Sequence, residues 1–117
     1  MIEKIILDKL AAELAPVPVL METPPDPPAK YVLLEKTGSS CTDHLWRATI
    51  AVQSYGASLL EAATLNHTVK GKILSLLELD TITRAEVETD YNFTDTQTKR
   101  YRYQAVVSVT YDEEAIE

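Results

Sequence analysis

Ser40, Cys41, Asp43 and His44 crowd into one short stretch of the chain. A thiol or hydroxyl beside a carboxylate and an imidazole is the inventory of nucleophilic catalysis, in which a base takes the nucleophile's proton. The spacing works against it. Neighbours on an extended chain point to opposite faces, so Asp43 and His44 cannot both turn toward Cys41. The stretch reads as turn residues with an incidental thiol. His67 has no second histidine or carboxylate at helical spacing; Glu61, six residues earlier, lies off its face. One imidazole does not make a metal site. Glu86, Glu88 and Asp90 recur at period two and share one strand face, which could imitate a hard-cation site. The simpler reading is a solvent face paired with Arg100 and Arg102. Those arginines interleave with Tyr101 and Tyr103, a pattern that can stack nucleic-acid bases or pack as an ordinary aromatic strand. The 18 acidic residues against 11 basic ones, a net charge of -7, argue against a phosphate-gripping surface. Gly38, Gly56 and Gly71 stand too far apart for a nucleotide cradle, and no Gly-x-Ser-x-Gly or Cys-x-x-Cys is present. The expectation is a chain without catalytic residues, metal ligands or cofactor.

Composition sets the frame that must hold these residues. At 117 residues, with 45% hydrophobic and 25% charged residues, the chain fits one globular domain spanning 1–117, with one modest core. A single cysteine forms no intrachain disulfide. No apolar run reaches the roughly 18 residues that span a bilayer. The start, Met1-Ile2-Glu3-Lys4, lacks the basic and apolar regions of a secretory signal. A cytoplasmic protein without membrane association is expected.

Ile2, Ile6, Leu10 and Leu14 recur every four residues and predict an amphipathic helix over 2–15, ended by Pro16 and Pro18. Val17 to Glu22 predicts a short edge strand. Thr23 to Ala29 holds Pro24, Pro25, Pro27 and Pro28 and predicts a stiff extended loop. Tyr31 to Lys36 predicts a strand, Thr37 to Ser40 a turn, and His44 to Tyr55 a long strand with Trp46, Ala48, Ile50 and Val52 on one face. Ser58 with Glu61 forms a capping box that opens a helix to about Leu79, with Ala62, Leu65, Val69, Ile73 and Leu76 inward. Gly71 in that helix suggests a bend or a close contact. Ile82 to Tyr91 and Arg100 to Tyr111 predict a hairpin joined by a long loop from Asn92. Centring its register on Asp95 sets Glu88 against Arg102 and Asp90 against Arg100. The sum is α+β: a single domain with a mostly antiparallel four- to five-stranded sheet and two helices packed on it.

From about residue 2 to 112, this layout resembles the tail terminator (tail completion, head–tail joining) proteins of long-tailed bacteriophages. The run Ala48-Thr49-Ile50-Ala51-Val52-Gln53-Ser54-Tyr55-Gly56 leading into a helix, and Tyr91-Asn92-Phe93 with Arg102-Tyr103-Gln104, carry the likeness. The resemblance implies a homo-oligomeric ring, a hexamer, that ends polymerisation of the tail-tube protein and meets the head connector or neck protein. DNA would touch it only in passage through the lumen, the virion tail would be its location, and no cofactor is implied. The proline loop (Pro24, Pro25, Pro27, Pro28) and Tyr91, Asn92 and Phe93 are the expected contacts with neighbouring subunits or the tube. A tail-tube-like subunit, a small protein-binding adaptor and an enzyme with an unrecognised site are the alternatives.

Overall fold

The spacing of four puts Ile2, Ile6, Leu10 and Leu14 on one stripe of helix α1 (Ile2–Leu14), and all four are buried. They need a facing layer, and the sheet supplies it. The structure, a computed structural model, describes residues 1–112. After α1 come β1 (Val19–Leu20), β2 (Tyr31–Thr42), β3 (Leu45–Gly56), helix α2 (Leu59–Ile73) with a 3-10 extension (Leu74–Glu78), β4 (Ile82–Asn92) and β5 (Tyr101–Tyr111). The five strands lie in the order β1-β2-β3-β5-β4. Only the short β1–β2 pair is parallel; the other three pairs are antiparallel. The α+β expectation holds.

Both helices pack on one face. Val32, Leu34, Ala48, Ile50, Val52, Ala105, Val107 and Val109 point from the sheet into a core shared with α1 and with Leu65, Val69 and Ile73 of α2. Fully burying one such side chain contributes about 1.5–3 kcal/mol. Ser58 caps α2, its Oγ accepting the N–H of Glu61 at 3.1 Å. Glu61 reaches back to the N–H of Ala57 at 3.0 Å, one residue beyond the usual partner. Gly56 is the glycine the joint requires: a Cβ there would sit 2.6 Å from the backbone nitrogen of Ala62. Gly71 marks no close contact, because a Cβ on it would meet nothing within 4 Å. The helix runs on past it and tightens only at Leu74.

Two expectations fail, each for a local reason. Thr37 to Ser40 is not a turn. β2 continues to Thr42, with a register shift between Lys36 and Gly38 that leaves Thr37 as an extra residue. The reversal falls at Asp43 and His44, between the paired Thr42 and Leu45. Both turn residues have positive φ, 53° and 69°, the two-residue geometry whose twist matches the flanking strands. The β4–β5 register also differs. Asp90 faces Ala105 and Tyr91 faces Gln104, so Glu88 does not oppose Arg102 and Asp90 does not oppose Arg100. Core burial decides this: Val87 aligns with Val107, a stronger demand than exposed charge pairs worth under about 1 kcal/mol. The loop then closes on its own polar side chains. Asn92 Oδ1 accepts from the Thr94 N–H at 3.0 Å, and Asp95 Oδ1 from the Gln97 N–H at 3.0 Å. Such bonds mimic a backbone turn.

Replacing Asp43-His44 with Asn-Gly, the pair that best tolerates positive φ at both positions, should raise the unfolding free energy by about 0.5–1 kcal/mol. Denaturant unfolding measures it; a loss of stability would contradict the turn assignment.

Candidate functional site

With both helices on one side, the other sheet face must close itself with its own side chains. Two cross-strand rows do this. Tyr31, Tyr55 and Arg102 lie side by side, and so do Gln53, Gln104 and Tyr91. The rings of Tyr31 and Tyr55 stack with centroids 4.4 Å apart and planes 3° from parallel. The Arg100 guanidinium lies 5.3 Å from the Tyr55 centroid and donates to the Tyr31 hydroxyl at 3.2 Å. Arg102 sits 4.4 Å over the Phe93 ring and donates to the Tyr55 hydroxyl at 2.9 Å and to the Phe93 carbonyl at 2.7 Å. The Tyr55 hydroxyl donates to Gln53 Oε1 at 3.0 Å. Gln53 Nε2 donates to Gln104 Oε1 at 2.8 Å, and Gln104 Nε2 to the Tyr91 hydroxyl at 2.5 Å. Tyr91 meets Phe93 edge-on, at 85° and 5.8 Å. The chain of contacts thus returns to where it began.

This arrangement explains the burial. Tyr31 is 0% and Gln53 7% exposed although no helix lies over them. A polar group so placed is tolerable only when bonded, and the network bonds both ends of each carboxamide. Cation–π contacts add about 0.5–2 kcal/mol each. The rim is open: Tyr91 and Phe93 remain 41% and 40% exposed. Next to it, Pro27 and Pro28 face Lys99, Arg100 and Tyr101 across an open notch of about 240 Å³.

The carboxylates thought to share one face are split. A bulge between Val87 and Thr89 leaves Glu88 as an extra residue. Asp90 turns to the helix side, where Lys70 Nζ lies at 2.9 Å and Asn66 Nδ2 at 2.8 Å. The Lys70 contact holds the Asp90 carboxyl below its ordinary value, against an opposing push from burial and with help from Asn66. On the other face Glu88 pairs with Arg47 at 3.0 Å, and Arg47 Nε donates to Ser108 Oγ at 2.6 Å. Glu86 pairs with Arg84. Arg100 and Arg102 therefore serve rings and hydroxyls, not carboxylates.

The remaining candidates scatter. Cys41 is exposed and pairs with Trp46 across the hairpin. Asp43 and His44 form the turn, and His67 is exposed on α2. In the proline loop Pro24 and Pro27 are half-buried, Pro25 and Pro28 exposed. Asn92 is spent on the loop, its Oδ1 accepting from Thr94 Oγ1 at 2.6 Å. Among the described residues no group of three or more His, Cys, Asp or Glu could hold a metal ion, and no helix is long and apolar enough to cross a membrane. Sequence reading placed Gln53 and Gln104 on the outer side without joining them. Two glutamines within otherwise apolar, β-branched strands were the available signal. No protein-family model matches the chain, and no curated protein matches it.

Gln104→Leu should cost about 1–3 kcal/mol, because it strips the buried Gln53 amide of its partner. Gln53→Leu with Gln104→Leu should cost less than the sum of the two single changes. Purely additive losses in denaturant unfolding would show the pair is not coupled.

Asp90 carries a pH signature. Its folded pKa is depressed, so its contribution is present above the ordinary value of 3.8 and lost as pH falls through the folded value. The stability gap between wild type and Asp90→Asn should therefore be widest near neutral pH and shrink in acid. A gap that stays constant down the acid range would contradict the Lys70–Asp90 account.

Proposed function

We propose that this chain is a ring-forming structural subunit, a tail terminator of a long-tailed bacteriophage that caps the tail tube and meets the head connector. It works by shape and contact, without a chemical step of its own. The observation that carries this reading is the β2–β3 hairpin. Every residue from Glu35 to Thr42 is exposed, and all but Thr37 are paired with β3. A strand end that buries no side chain of its own is an arm available to a neighbour. From Thr37 to Thr42 it carries no charge and no proline, the devices that keep edge strands apart.

Three further features support the reading. The helix-free face is rigid through its own network, as a surface that docks repeatedly should be. The proline loop lies outside the core cluster, and its stiffness lowers the entropy lost on docking. Excess carboxylate, at -7 net, suits a lumen that lets DNA slide past without holding it. Six copies, the virion tail and transient passage of DNA belong to the same proposal.

Electron microscopy of the purified chain tests it: rings with a central opening are expected, and single-chain particles at every concentration would overturn it. Replacing Pro24, Pro25, Pro27 and Pro28 by serine and glycine, or Tyr91 and Phe93 by alanine, should cost ring formation more than it costs the unfolding midpoint. A collapse of the midpoint with unchanged rings would place those residues in the fold alone.

A further inference from the structure

Charge is distributed unevenly along the sheet. Of the 11 lysines and arginines, seven are held in ion pairs. Among the described residues the four without one are Lys30, Lys99, Arg100 and Arg102, and all four lie at one end. Lys30 precedes Tyr31, which pairs with Tyr55 and, across β3, with Arg102; Lys99 and Arg100 precede the row of Gly56 and Tyr101. Nearby carboxylates are few. Asp95 accepts from the N–H groups of Gln97 and Thr98 and is also attracted by Arg102; Glu61 accepts the N–H of Ala57; Asp26 lies in the proline loop.

These cations are pre-aimed. Arg100 and Arg102 are fixed by ring contacts and by one and two hydrogen bonds. A guanidinium has five N–H donors in a planar fork, so each keeps donors for a carboxylate. Lys99 and Arg100 also line the open notch with Pro27 and Pro28.

The opposite end is acidic. The row of Cys41, Trp46, Tyr111 and Ile82 closes the sheet there. Beyond it stand Asp43 at the hairpin tip and Asp80 just before β4, both exposed and neither in an ion pair among the described residues. The nearby cations Lys9, Arg47 and Arg84 are already paired, with Glu78, Glu88 and Glu86. The two ends are separated by the length of β5, eleven residues at about 3.4 Å each, on a molecule 44 Å long.

We infer that the cationic end takes the acidic end of a second copy of this chain, with the hairpin tip carrying Asp43 set against the notch lined by Lys99 and Arg100. The contact joins two different surfaces, so repeated head-to-tail it closes into a ring or runs on as a filament. It rests on the reading of the chain as a self-assembling subunit and specifies which surfaces meet. Phosphate is the competing anion, and the chain's net charge of -7 disfavours it.

Charge reversal with light scattering tests the contact. Lys30→Glu with Lys99→Glu cancels the surplus of the cationic end, two glutamates then standing against Arg100 and Arg102; Asp43→Lys with Asp80→Lys makes both ends basic. None of these four side chains has a hydrogen bond or ion pair to the described residues, so circular dichroism and unfolding midpoints should stay near wild type. Where a reversed variant does not fold, Lys30→Gln with Lys99→Gln replaces it. Each reversed protein alone should self-associate about tenfold more weakly or worse, falling toward 13.0 kDa. Mixed in equal amounts they should regain the larger mass, and the wild-type assembly should loosen as salt rises. Reversed variants that keep the wild-type mass overturn this contact and leave the ring reading standing. A wild type that stays at 13.0 kDa overturns both. Unchanged mass with lost retention of a short DNA duplex by the Lys30→Glu, Lys99→Glu protein would reassign the cationic end to phosphate and also overturn the contact.

Discussion

A five-stranded sheet with helices on one face only has to solve its second face without a second layer. The described residues supply none. The solution is the closed circuit of Tyr55, Gln53, Gln104, Tyr91, Phe93 and Arg102, extended by the Tyr31 stack and by Arg100. Each ring is covered by a guanidinium or another ring, and both carboxamides of the circuit are bonded at each end. The face is therefore closed by its own side chains and only partly wetted.

That closure has consequences at both ends of the strands. Arg100 and Arg102 are drawn onto rings and make no ion pair among the described residues, which leaves their charge only partly offset, by Asp95, at one end of an acidic protein. At the other end β2 is exposed from Glu35 to Thr42, and β3 joins it in the open only at Leu45 and Arg47. A turn with two residues at positive φ holds its tip to two residues. Electrostatic surplus and unburied strand thus sit at opposite extremes of the long axis, the two surfaces that the proposed contact between copies would join.

Much of this was legible in the sequence, and the reasons differ by element. The four-residue spacing of α1 and the Ser58–Glu61 cap are local signals, so they transferred to the structure almost unchanged. The inward row of Trp46, Ala48, Ile50 and Val52 is equally local. The hairpin errors came from non-local competition. Thr37-Gly38-Ser39-Ser40 has turn composition, yet Asp43-His44 won because its dihedral angles match strand twist. The charge register of Glu88 and Asp90 lost to the alignment of Val87 with Val107, and the bulge at Glu88 then sent the carboxylates to opposite faces. The Tyr31–Tyr55 stack and the Gln53–Gln104 bond were out of reach for a related reason: they depend on which strands are neighbours, and β3–β5 adjacency is not encoded in any short window.

Hydrogen–deuterium exchange across a concentration series tests most directly whether the exposed arm and the cationic end are completed by another copy. The account predicts that the amides of Ser39 to Leu45 and of Lys99 to Tyr101 exchange fast in dilute protein and slow together as the mass rises, while the amides of Ile50 to Val52 stay protected throughout. An arm and notch that keep exchanging fast in the fully assembled protein would contradict it.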